Sequence, residues 1–175
     1  MRRHALIVVT LLLALAPAPA ASAADQAFSG RCQLAGVVEH APPLTGLPTA
    51  AQLQSRLSGP CWGTWTPANG RPRVLDGDVV DYAVQAAGTL SCGGGTATGA
   101  GSLDYEGARL DFDFSEVRGP GAAQVSLVGK AGGVAGGPAT VSTAEDPLAI
   151  TLACMGAGLR TVRIDLALTT PGIAG

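Results

Sequence analysis

The chain has 175 residues, 47% of them apolar and only 14% charged, with 25 glycines and four cysteines. A net charge of −2 provides no basic surface for nucleic acid or an anionic membrane, and so glycine-rich a chain is a poor long helix or coiled coil. At this length one domain is expected.

Arg2 and Arg3, the apolar run Ala5 to Ala16 and the small residues Ala21-Ser22-Ala23 form the three parts of a secretory signal peptide over 1–23. The run is too short for a helix to cross a bilayer of about 30 Å. The remainder, 24–175, is expected to be secreted as a single disulfide-bonded β domain with no membrane attachment once the signal is removed. It carries 9 basic residues against 13 acidic, a net charge of −4. Cys32, Cys61, Cys92 and Cys154 all fall in this part, and an even number in an exported chain reads as two disulfides. Three pairings are open. Cys32–Cys61 with Cys92–Cys154 is preferred, since the first would join neighbouring segments.

In chain order, Phe28 to Val38 alternates as a strand with Cys32 facing inward, and His40-Ala41-Pro42-Pro43 is expected to end it. Thr49 to Leu57 fits a short helix, with Thr49 and Gln52 as a capping box and Ala50, Leu53 and Leu57 at helical spacing. Cys61 to Thr66 reads as a strand that puts Trp62 and Trp65 on opposite faces. Asn69-Gly70 returns the chain into Arg71 to Leu75, Asp76-Gly77-Asp78 makes another turn, and Val80, Tyr82 and Val84 alternate in the next strand. Gly93–Gly101 and Gly132–Ala139 are small-residue strands that leave room for something close by.

Between them, after a Glu106-Gly107 turn, Ala108 to Ser115 gives the clearest period of two in the chain. Pro147 to Cys154 alternates as a strand would, yet Asp146-Pro147 and Gly156 look like the start and stop of a short helix, which is the reading adopted. Val162 to Leu168 is the last strand. The fold class is all-β: an antiparallel meander of about eight to ten strands forming a barrel or two-sheet sandwich, with one or two short helices. The last strand is placed beside the first, so that few edges stay open.

The chemistry is sparse. His40 is the one histidine beyond the signal, expected in an exposed loop, so a multi-histidine metal site and a Ser-His-Asp triad have no basis. No catalytic residue, metal site or cofactor is expected. Asp76, Asp78 and Asp81 lack the EF-hand spacing and read as turn residues. Gly93-Gly94-Gly95 reads as a flexible turn. Asp111 and Asp113 share the solvent face of their strand with Arg109. Glu116 continues the buried parity of Phe112 and Phe114; a bulge turning it outward is the expected resolution, an ion pair with Arg118 the other. Trp62, Trp65, Tyr82 and Glu116 are the candidate binding residues.

The combination Phe28-Ser29-Gly30-Arg31-Cys32, Cys61-Trp62-Gly63-Thr64, Ser91-Cys92-Gly93-Gly94, Glu116-Val117-Arg118-Gly119-Pro120 and Glu145-Asp146-Pro147 resembles small exported four-cysteine proteins of high-GC actinobacteria, a group without an assigned function. The resemblance implies a secreted four-cysteine β domain and carries over no catalytic residues. The expected function is non-enzymatic binding of an unknown small apolar molecule inside the domain, or of an extracellular protein on its surface. The alternatives are a carboxylate-dependent hydrolase built from Asp76, Asp78, Asp81 and Glu116, and a protein inhibitor presenting the Pro42 to Pro48 region on a rigid, disulfide-braced loop.

Overall fold

The computed structural model describes residues 25–142 and 147–175; the signal peptide read over 1–23 lies outside the described residues. Eight strands follow one another: β1 (Ala27–Leu44), β2 (Thr49–Thr66), β3 (Arg73–Ser91), β4 (Gly94–Tyr105), β5 (Ala108–Gly119), β6 (Ala122–Gly129), β7 (Gly132–Ser142) and β8 (Leu159–Ala174). One helix, α1 (Pro147–Met155), precedes β8. Each strand pairs antiparallel with the next and β8 returns to β1, so the meander closes into a barrel without a free edge. The 45–48, 92–93 and 120–121 loops lie at the same end as α1; the other end carries the 67–72, 106–107 and 130–131 loops.

Alternation builds the wall. In β5, Leu110, Phe112 and Phe114 are buried while Arg109, Asp111 and Asp113 are exposed, as the sequence pattern requires. The apolar side is the inside and the polar side faces out, the reverse of a barrel that meets lipid. Glu106 and Gly107 both take positive φ, 49° and 80°, which gives the tight β4–β5 hairpin. Cys32 and Cys61 stand directly opposite each other in β1 and β2 and are bonded, and Cys92 is bonded to Cys154 of α1, the preferred pairing.

Three local expectations change. Thr49 to Leu57 is strand, not helix: Ala51, Leu53, Ser55 and Leu57 are buried in alternation with exposed neighbours, and β1 and β3 supply ladder partners on both sides. Those partners outweigh a capping box whose helix would be too short to stand alone. β1 does not end at Val38 but runs on through His40 to Leu44. Asp76-Gly77-Asp78 is a bulge within one continuous β3, since Cys61 faces Asp78 and Trp62 faces Asp76 with Gly77 left over.

The small-residue strands accommodate the rest of the barrel. Gly101, Gly99, Ala97 and Gly95 of β4 sit opposite Phe112, Phe114, Glu116 and Arg118 of β5, so the smallest residues face the largest inward side chains. In β7, Ala135 and Gly137 face Leu127 and Val125 in the same way. The expected unfilled cavity is therefore taken up by side chains. Phe28, Trp65 and Tyr105 pack in series at the far end with centroids 6.0 and 5.7 Å apart, and Tyr82 stacks on Phe112 at 5.6 Å. Between Leu53, Tyr82, Phe114, Glu116 and Val125 remains a void of about 10 Å³, room for one water at most. Gly99→Ala should thus destabilise the barrel by about 1–3 kcal/mol, because a Cβ there would lie 2.5 Å from Ala86 Cα and closer still to the Gln85 carbonyl. A urea midpoint equal to the parent's would refute that packing.

Candidate functional site

The densest chemistry lies inside the barrel, beneath the α1 end. His40 of β1 is 2% exposed, so the expectation of an exposed loop histidine is overturned: it continues the inward parity of Leu34 and Val38. Glu116 and Arg118 are successive inward residues of a regular β5, so the bulge expected at Glu116 is absent and the ion pair is present. Arg118 Nη2 stands 2.8 Å from Glu116 Oε1, close enough to pair but not aligned as a hydrogen bond. On its other side Arg118 Nη1 donates to His40 Nε2 at 3.0 Å. A guanidinium only donates, so His40 accepts on Nε2 and carries its proton on Nδ1. Nδ1 faces the backbone of Arg160 at the start of β8 without an aligned hydrogen bond.

The electrostatics follow from that enclosure. Burial, and secondarily the Arg118 charge, lower the His40 pKa to about 4, so the ring is neutral in ordinary media. Burial raises Glu116 above the usual carboxylate range, with Arg118 pulling the other way. Burial and the nearby Glu116 charge raise the Tyr82 phenol. The arrangement holds a cation, an acid and a neutral imidazole in a buried interior. Among the described residues the void beside Glu116 measures about 10 Å³, too small for a substrate, and the cluster ties β1 to β5.

Of the four candidate binding residues, only Tyr82 and Glu116 come together, inside the wall. Trp65 is buried against Phe28 and Tyr105 at the far end. Trp62 is on the outside, its ring 5.4 Å beneath the Arg31 guanidinium, a cation–π contact. The acids named for a hydrolase are divided by the wall. Glu116 is inside, whereas the Asp76 amide donates to Asp78 Oδ2 at 2.9 Å on the bulge and Asp81 is exposed on β3. Among the described residues no three His, Cys, Asp or Glu side chains converge as metal ligands.

The surface holds what the interior lacks. A polar groove of about 660 Å³ crosses the outer wall over Arg56, Gln85, Ser102, Asp104, Arg109 and Asp111. A more apolar one of about 450 Å³ lies over Ala35 and Ala167 between Pro60 and Pro138. At the α1 end, Leu148, Leu152 and Met155 are 65%, 57% and 73% exposed, and Leu47 of the adjoining loop is 75% exposed. That loop is fastened to the helix: Gly46 N–H donates to Cys154 O at 2.8 Å and Cys92 N–H to Thr45 O at 2.7 Å, on either side of the Cys92–Cys154 bond. The short helix expected over Pro147 to Cys154 is present, but its residues are not among the candidate binding residues read from the sequence, because the stretch carries no charge to separate a wet face from a buried one.

Fold and site together define an eight-stranded up-and-down barrel whose apolar interior holds a buried His40–Arg118–Glu116 cluster and whose α1 end carries a disulfide-held apolar cap. Comparison with protein-family models, curated proteins and solved structures finds no match for the chain. No helix among the described residues is long and apolar enough to cross a membrane.

Proposed function

We propose that the chain is an exported, non-catalytic barrel that binds an extracellular protein through the apolar cap at its α1 end. The observation that carries this reading is the exposure of Leu47, Leu148, Leu152 and Met155 on elements pinned by a disulfide and two backbone hydrogen bonds. A patch of large apolar side chains on a rigid support is the usual mark of a protein contact. Two disulfides fit an oxidising compartment, and the leader sequence supplies the route.

The test is site-specific photo-crosslinking in the chain's own culture medium. A crosslinker at Leu152 should give one discrete protein adduct, and the same group at Val74, 82% exposed on β3 at the other end, should give none. Leu148→Asp should abolish the Leu152 adduct. No adduct from the cap, or the same adduct from both positions, would refute the reading.

A further inference from the structure

The final part of β1 is attached differently from the rest of the barrel. The β1–β2 ladder ends at the Ala41–Gln52 pair. The β1–β8 ladder jumps from Glu39–Thr161 to Leu44–Leu159. Pro42 and Pro43, which fall in this gap, have no amide hydrogen to give to either neighbour. Over these two residues the backbone has little ladder bonding, and just before them His40, paired with Leu53 at the end of the β1–β2 ladder, fastens the strand by a side-chain bond to Arg118 across the barrel. Beyond the gap, residues 44–48 are tied to the cap by Leu44–Leu159 and by the Gly46 and Cys92 hydrogen bonds. Leu44 itself is 2% exposed, and Leu90 near the end of β3 is 0% exposed.

We propose that residues 40–48, the end of β1 with its following loop, are an acid-released flap and that the His40–Arg118 hydrogen bond is its latch. The latch requires His40 Nε2 to be an acceptor. A proton on that nitrogen removes the acceptor and places a second cation against Arg118 in a buried interior. In the open form the ring meets water and the repulsion is relieved, while the Cys92–Cys154 disulfide keeps α1 over the barrel so that closure is reversible.

The sign follows from where the proton is held. The closed form resists protonation down to about pH 4, and a solvated ring takes the proton near its ordinary value of about 6.5. Acidification through that window therefore favours the open form, by up to roughly two orders of magnitude. The groups facing the latch are Arg118 and Glu116 of β5 and the Arg160 backbone of β8, with Tyr82 of β3 beyond Glu116. Glu116 works in the opposite sense, since its raised pKa lets the closed form take up a proton before a solvated carboxyl would. This inference does not depend on what the cap binds.

The test is amide hydrogen exchange on the intact, disulfide-bonded chain between pH 6.5 and 4, read as protection factors. The Gly46 and Cys92 amides should lose at least tenfold in protection while Leu103 and Phe112 of β4 and β5 hold theirs. His40→Gln keeps an acceptor that does not titrate, and its flap protection should stay level. Loss of protection at the core amides in step with the flap, the same loss in His40→Gln, or no loss in the parent would each overturn the proposal. Should His40→Gln fail to fold, NMR titration of the His40 ring in the parent decides: its midpoint must coincide with flap release, and separate midpoints refute the latch.

Discussion

Arg118→Met is expected to cost about 3–5 kcal/mol of folding stability, because it leaves the Glu116 carboxylate buried without its cation. The Glu116 side chain is only 3% exposed, and water cannot take over from the guanidinium. The same substitution also orphans His40 Nε2, which has Arg118 Nη1 as its donor. Removing both charges should behave quite differently. Glu116→Leu with Arg118→Met replaces an ion pair by apolar side chains of similar length, and such exchanges are commonly neutral or stabilising. The double variant should therefore recover to within about 1–2 kcal/mol of the parent, counting the orphaned imidazole. Guanidinium unfolding with the disulfides intact measures all three. A single variant as stable as the parent would show that the pair is solvated, and a double variant no better than the single would show that Arg118 acts by packing alone.

The same cluster shows where the amino-acid sequence is legible and where it is not. In β5 the period of two is unbroken because one side of the strand faces water and the other the core, so the burial of Leu110, Phe112 and Phe114 can be read directly. Parity also points inward at Glu116. There the inward position conflicts with charge, which favours a bulge; at His40 the prolines that follow mark the end of a strand, so the alternation is not carried that far. Glu116 is settled by Arg118 two residues on, whereas His40 needs a partner 78 residues away that it meets only once the barrel closes. A barrel and a sandwich have the same strand period, so closure itself leaves no local mark. Thr49 to Leu57 fits both a helical template and an alternating one; neighbours on both sides decide it. The cap was legible as a helix from Asp146-Pro147 and Gly156, but its exposure depends on which loops lie beside it.

Replacing Cys92 and Cys154 together by alanine should lower stability by about 4 kcal/mol on the chain-entropy account of a cross-link, for a sequence separation of 62. Cys32→Ala with Cys61→Ala should cost about 3.5 kcal/mol by the same rule, for a separation of 29. The two losses should differ in kind more than in size. Cys32 and Cys61 join neighbouring strands already paired along most of their length, so the barrel without that bond should still unfold in one step. The other bond anchors a nine-residue helix whose Leu148, Leu152 and Met155 face outward. A helix of that length is marginal in water without tertiary support. Without Cys92–Cys154, α1 should fray at denaturant concentrations where the strands are still paired, and hydrogen exchange should register two transitions where the parent shows one. The Gly46 to Cys154 hydrogen bond still joins loop to helix, but one such bond is worth only about 1 kcal/mol. If α1 amides keep their full protection in this variant, the cap is held by packing, and the disulfide is incidental to the rigidity that the binding surface requires.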